Sequence, residues 1–157
     1  MQAINPSSAK NADISETSDI SDTSDTVDTL ERDIAEEYFR SFNENQFEQT
    51  SNLFAEKGSL VPPFDSPVVG QQAIVAYLEK EASNITAYPE RWDIEIKDNR
   101  TQIHVTGKVN AIVFKVNVAW YFTLCADSKT DEPKIERVRV KLLASPKELL
   151  GLRSAAA

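Results

Sequence analysis

The stretch Val116-Asn117-Val118-Ala119-Trp120-Tyr121-Phe122-Thr123-Leu124-Cys125 alternates strictly between large apolar residues and smaller or polar ones. As a strand it points Val116, Val118, Trp120, Phe122 and Leu124 to one side. Asn117, Ala119, Tyr121, Thr123 and Cys125 then face the other side. A strand with one continuously apolar face must be covered on that face, which commits the fold to a sheet packed against something else. The tryptophan at the centre adds a flat surface and a single N–H donor. Such a wall is either core or the wall of a site for a long hydrophobic ligand, and periodicity alone favours core.

The rest of the chain divides at Pro89. After it the period is two: Trp92, Ile94 and Ile96 alternate with Asp93, Glu95 and Lys97, and Ile103, Val105 and Val109 with His104, Thr106 and Lys108. A bend is expected within Asn110–Lys115, because 101–125 is too long for one ordinary strand. An acidic turn over Asp127–Pro133 leads to a last strand, where Val138, Val140 and Leu142 alternate with Arg137, Arg139 and Lys141. Before Pro89 the period is helical. Asp28 and Glu31 are spaced as a capping box, and Leu30, Ile34, Tyr38 and Phe42 recur every fourth residue, with Ala35 and Phe39 beside them. Asn45 and Glu48 repeat that cap for a short second helix carrying Phe47, Leu53 and Phe54 and ending near Gly58. Ser59–Phe64 reads as an extended piece stopped by Pro62-Pro63. A third helix is expected from Gly70 to Asn84, with Ile74, Tyr77, Leu78 and Glu81 on one face. The fold class is therefore α+β, with three helices over the apolar face of a curved sheet of four antiparallel strands.

Residues 1–26 are acidic, rich in Ser and Thr, and poor in large apolar groups, the composition of a disordered tail. Residues 27–145 form the expected domain, and 146–157 an amphipathic C-terminal tail around Leu149, Leu150 and Leu152. Seventeen basic against twenty-five acidic residues give a net charge of −8, which excludes the basic footprint of a nucleic-acid binder. One cysteine allows no internal disulfide, and one histidine cannot build a usual metal site alone. Neither a signal peptide nor a membrane-spanning run is visible, so a cytoplasmic protein is expected.

Catalytic chemistry has no foothold in this pattern. The inward strand positions carry no Asp, Glu, His, Lys or Ser, and His104 shares the polar face with Thr106 and Lys108. No glycine-rich phosphate loop and no nucleophile–base pair can be assembled, so no catalytic or metal-ligating residue is assigned. The polar groups on apolar faces are Tyr38, Tyr77, Glu81 and Trp120. Neutral donors on a greasy wall suit binding better than turnover. Cys125, alone on the outer face, can pair only with another molecule if it is reachable.

Several motifs are more specific. They are Tyr38-Phe39-Arg40-Ser41-Phe42-Asn43-Glu44-Asn45-Gln46-Phe47, Pro62-Pro63-Phe64 with Pro67-Val68-Val69-Gly70, Pro89-Glu90-Arg91, Thr101 to Val109, Asn117-Val118-Ala119-Trp120, and Leu142 to Leu150. In that order they resemble the C-terminal, NTF2-like domain of cyanobacterial orange carotenoid proteins, and above all its stand-alone homologs. The resemblance implies a half-cone sheet with helices over its concave face. It implies a homodimer that binds a ketocarotenoid, canthaxanthin- or echinenone-like, and exchanges it with helical carotenoid proteins in photoprotection. A transient membrane contact to collect pigment belongs to the same picture. Tyr38 and Trp120 match the pair that holds the keto oxygen, and Glu81 matches a family residue that meets a partner domain. The bend Ile112-Val113-Phe114-Lys115 is shorter than in the family and keeps only Phe114 of an aromatic pair. The pigment-facing wall is then Val105, Val109, Val116, Val118, Val138, Val140 and Leu142, with Phe114 at its end. Two other readings stay open on the residues themselves: an isomerase-type enzyme of the same fold, and a dimerisation module with a filled core.

Overall fold

A computed structural model of the chain describes residues 30–127 and 129–143. The expected tails, the Asp28 cap and the family motif beyond Leu143 lie outside the described residues. Helix α1 covers 30–43, followed by α2 (Phe47–Asn52), β1 (Phe54–Val61), β2 (Val68–Val69), α3 (Gln71–Glu81), β3 (Thr86–Lys97), β4 (Arg100–Asn110), β5 (Lys115–Ala126) and β6 (Pro133–Leu142). The strands form one sheet in the order β2-β1-β6-β5-β4-β3.

The alternation in β5 holds. Val118, Trp120, Phe122 and Leu124 are buried against the helices, and Tyr121, Thr123 and Cys125 are half-buried on the other face. The four expected strands are β3 to β6, joined as an antiparallel meander. The β3–β4 turn needs only Asp98 and Asn99, both at positive φ, as a two-residue hairpin compatible with strand twist requires. The bend before β5 is Ala111–Phe114, closed by the Ala111 N–H donating to the Phe114 carbonyl at 2.8 Å.

Three expectations change. The sheet has six strands and is mixed, because β1 lies parallel beside β6. The segment Phe54–Gly58, assigned to the end of a helix, is instead the start of β1, and α2 stops at Asn52 without a side-chain cap from Gln46. A six-residue helix cannot hold itself together, and the backbone beyond it is claimed by β6: Ile135 N–H donates to the Leu53 carbonyl at 2.9 Å. Finally, β3 begins before Pro89 and runs through it. Proline is tolerated there because β3 is an edge strand and shifts register between Pro89 and Arg91. Gly107 lies under that bulge, where a Cβ would come within 2.0 Å of the Tyr88 carbonyl oxygen. Only glycine fits.

Helix α1 is held on the inner face by its predicted stripe and by polar ties at both ends. Ala35, Tyr38 and Phe39 are buried, while Leu30, at the helix start, is exposed. Glu31 accepts from the Thr101 hydroxyl of β4 at 2.7 Å, and the Arg32 guanidinium lies 4.8 Å over the Trp92 ring. At the other end Asn43 pairs with Ala87 in both directions, Nδ2 to carbonyl at 2.9 Å and N–H to Oδ1 at 2.8 Å, which extends the ladder of β3 onto the helix. Helix α3 contributes Ile74 and Leu78 to the same core.

Candidate ligand-binding site

The inner face changes character along the strands. At the end where β4 begins and β5 finishes, Ile103, Phe122, Leu124 and Ile135 are fully covered. Val105, Val118, Trp120 and Val138 in the middle are buried as well. Toward the opposite end Val109, Val116, Val140 and Leu142 are only half-buried. The same end gathers exposed apolar groups: Phe64 from the β1–β2 loop, Ile112 and Val113 from the β4–β5 tip, Tyr88 and Leu143. Ile112 is 78% and Val113 75% exposed, and Phe114 beside them is half-buried. An apolar wall thus continues beyond the cover that the described helices provide.

Tyr38 and Trp120, 2% and 3% exposed, are buried behind that opening in the same aromatic cluster. The Tyr38 ring meets Phe122 edge-on at 5.1 Å and Phe39 at 5.3 Å, and it stacks on Phe42 at 6.0 Å. Phe39 is the intermediary, since its ring also meets Trp120 edge-on at 4.8 Å. No hydrogen bond of the Tyr38 hydroxyl or the Trp120 indole N–H is formed with a described residue, and neither atom is among the buried ones left without a partner, which are Glu31 Oε1, His104 Nε2 and Asn110 Oδ1. Both are neutral donors. Burial, and then the neighbouring Tyr77, push the Tyr38 hydroxyl far above its ordinary range, so it keeps its proton at any physiological pH. Phe39, Phe42 and Phe122 are legible as core positions, but nothing in their spacing marks them as the rings that surround the two donors.

The raised tyrosine has a measurable consequence. Its folded value lies above the unfolded value near 10.0, so its contribution to stability is complete below that pH and is lost as pH rises through and beyond it. Stability is expected to fall by about 1.4 kcal/mol per pH unit above about pH 10 through Tyr38. Urea titrations at successive alkaline pH values check this, and Tyr38→Phe should flatten the slope.

A second tyrosine, Tyr77 of α3, donates to Asp65 Oδ2 at 3.0 Å, and it too is raised, by partial burial first and then by that bond. Glu81, on the same helical face and expected at the rim where the helix ends, is exposed at the end of α3. It meets no partner among the described residues. Cys125 is half-buried on the outer face, where burial pushes its thiol up and makes it a poor nucleophile at neutral pH.

One carboxylate escaped the sequence reading. Glu31 Oε1 is buried without a partner, while its Oε2 accepts from Thr101. Thr101 pairs with Leu124, four residues along β5 from Trp120, so Glu31 lies at the closed end, about 13 Å from the indole at ordinary strand rise. It cannot act as an acid or base beside Tyr38 and Trp120.

The larger surface cavities lie elsewhere. The first is a trough of about 580 Å³ on the outer face, and a second of about 480 Å³ runs between the start of α1 and Lys134. A smaller one, of about 330 Å³, lies at the open end between Pro62-Pro63-Phe64 and Leu142. None of these three is lined by Tyr38 or Trp120.

Residues 31–131 match the family model of the nuclear transport factor 2 (NTF2) domain. The chain belongs to the NTF2 domain family. An orange carotenoid-binding protein of Limnospira maxima is 41% identical over 121 residues, covering 74% of this chain and 37% of the relative. The solved orange carotenoid protein of Anabaena (Nostoc) sp. PCC 7120, which binds canthaxanthin, is 39% identical with a TM-score of 0.63 over 75% of this chain and 38% of its own. The NTF2 domain here thus spans little more than a third of these relatives, and the match falls in their C-terminal half. A ketosteroid isomerase-like protein of Erwinia carotovora atroseptica, 12% identical with a TM-score of 0.61 over 74% of this chain and 96% of its own, shares the NTF2 fold alone. No described helix of this NTF2 domain is long and apolar enough to cross a membrane.

Proposed function

We propose that the chain binds a ketocarotenoid by inserting one end ring between the sheet and the helices, and that it carries the pigment rather than transforming it. The observation that carries this reading is the pair of neutral donors, Tyr38 and Trp120, on buried side chains behind an apolar face left open at one end. A keto oxygen supplies an acceptor that both donors can use. The ring and the first part of the polyene would lie along Val105, Val109, Val116, Val118, Val138, Val140 and Leu142, with Phe114, Ile112 and Val113 at the rim. Carotenoid-binding relatives near 40% identity support the ligand class. Because the Phe39 ring meets both Tyr38 and Trp120, a pigment ring that reaches both donors would displace it.

Affinity would come from apolar burial at roughly 25 cal/mol per Å², reduced by the cost of association. The two hydrogen bonds, at about 1 kcal/mol net each, set orientation and the preference for a ketone. A carotenoid is about as long as a domain of this size is wide, its radius of gyration being near ~14 Å. The far half therefore protrudes and needs a cover, either a second copy or a helical carotenoid protein that donates or accepts the pigment in photoprotection. The exposed rim is suited to a brief membrane contact for collecting it, and the setting is cytoplasmic. Glu81 and Cys125 would serve partner contacts rather than the pigment.

Expression in a host that makes ketocarotenoids tests the reading directly. The purified protein is expected to carry a visible absorption band, red-shifted from the free pigment. A colourless protein from a pigmented host, with the fold intact, would reject it. Such a result would return the choice to an enzyme or a filled module.

A further inference from the structure

The inner face carries a second tryptophan that the proposed ligand wall leaves out. Strand registers place Trp92, Val105, Trp120 and Val140 in one row across β3, β4, β5 and β6. The two indoles are therefore rooted two strands apart, roughly 10 Å. Only the smaller Val105 stands between them. Phe39 of α1 fills the notch. Its ring meets Trp120 edge-on at 4.8 Å, Trp92 at 5.8 Å and Phe122 at 5.7 Å. Phe39 is 3% exposed, whereas Trp92, on the edge strand, is half-buried. Arg32, seven residues before Phe39 and on the same face of α1, lays its guanidinium 4.8 Å over the Trp92 ring. One helix face thus holds this indole from two sides.

We infer that the notch between Trp92 and Trp120 is the seat of the ligand's end ring, that Phe39 fills it in the unloaded protein, and that Trp92 is its second wall. On the reading that the ligand is a ketocarotenoid, Trp92 adds a contact that neither donor supplies. A phenyl ring and a cyclohexene end ring are both six-membered, so the space vacated by one receives the core of the other. Phe39 touches both donors, Tyr38 at 5.3 Å and Trp120 at 4.8 Å, so a ring in its place brings a keto oxygen within their reach. The side of that ring turned away from Trp120 then lies against Trp92, where a conjugated enone packs on aromatic surface.

The exchange leaves the helix in place. Helix α1 is tied to Thr101 through Glu31 at one end and to Ala87 through Asn43 at the other, so Phe39 leaves the notch by turning about its own side-chain bonds. Packing against Trp92 is indifferent to the ketone. A ring without it fits the same walls, so Trp92 sets affinity while the two donors set the preference for a keto group.

Isophorone, a trimethylcyclohexenone that carries a ring and a conjugated ketone without the polyene, tests the seat apart from the pigment. The full chain has two tryptophans, so Trp120→Phe and Trp92→Phe each leave one emitter. Adding Phe39→Ala to either background should tighten isophorone binding about tenfold, and binding should quench the remaining tryptophan in both. Phe39→Leu, which keeps more of the packing, replaces the alanine variant if thermal melts show that variant unfolded. Titrated with canthaxanthin, Trp92→Leu should bind about tenfold more weakly than wild type and keep the wild-type preference over β-carotene. Quenching confined to Trp120, an unchanged isophorone affinity in the folded Phe39 variants, or wild-type canthaxanthin affinity in Trp92→Leu would each overturn the inference. A wild type that takes up no pigment, while its Phe39 variants bind isophorone against both tryptophans, would reject the carotenoid reading and uphold the ring seat.

Discussion

Replacing Tyr38 and Trp120 together by phenylalanine is expected to shift the visible band of the loaded protein and to erase its preference for ketocarotenoids over β-carotene. Both side chains are buried and both carry a neutral donor, so a bound keto oxygen would serve each as an acceptor. Losing two hydrogen bonds of about 1 kcal/mol each corresponds to about thirty-fold in relative affinity. The fold should hardly register the tyrosine change. Removing a hydroxyl that bonds no described residue from an apolar site is close to neutral, whereas the smaller ring at 120 leaves a gap costing about 1–2 kcal/mol. Competition between the two pigments during loading, followed by absorption spectra, measures the effect. A double variant with unchanged selectivity and spectrum would remove both residues from the site.

Tyr38 and Trp120 are both placed by local periods of the chain. Strict alternation through β5 fixed the side to which Trp120 points, and the four-residue recurrence in α1 fixed Tyr38, since both are local periods that packing merely accepts. The parallel pairing of β1 with β6 was not legible. It joins Leu60 to Val138 across most of the domain, and nothing in Ala55-Glu56-Lys57-Gly58 announces a strand that runs along a distant partner. Pro89 reads as a boundary because proline ends ladders, yet at the sheet edge, opposite Gly107, it needs no inward donor. Within the site, the donors could be found by asking which polar groups lie on apolar faces. Phe39 between them could not, because a phenylalanine on a helix stripe looks the same whether it fills a core or separates two ligand contacts. Glu31 was missed for a related reason. Its spacing from Asp28 points to a helix cap and says nothing of the bond it accepts from Thr101.

Phe122→Ala is expected to give the opposite pattern to the donor pair. Its side chain is 1% exposed, meets Tyr38 edge-on at 5.1 Å and Phe39 at 5.7 Å, and lies on the central strand under α1. Truncation removes the ring's transfer free energy and leaves a cavity that neighbouring rings fill only in part, for a loss of about 3–5 kcal/mol. That is a large fraction of the stability of an ordinary domain, about 5–15 kcal/mol. Urea unfolding should show a much lower midpoint at an unchanged slope, since the surface exposed on unfolding is nearly the same. Phe122 carries no donor, so pigment that still enters should keep its keto preference. Ligand present well above its dissociation constant should then restore part of the lost stability by mass action, about 2.7 kcal/mol at a hundredfold excess. Measured side by side, the two variants separate packing from recognition: one loses stability and keeps selectivity, the other keeps most of its stability and loses selectivity. If Phe122→Ala instead abolished the preference while Tyr38→Phe with Trp120→Phe left it intact, ring packing rather than hydrogen bonding would select the pigment.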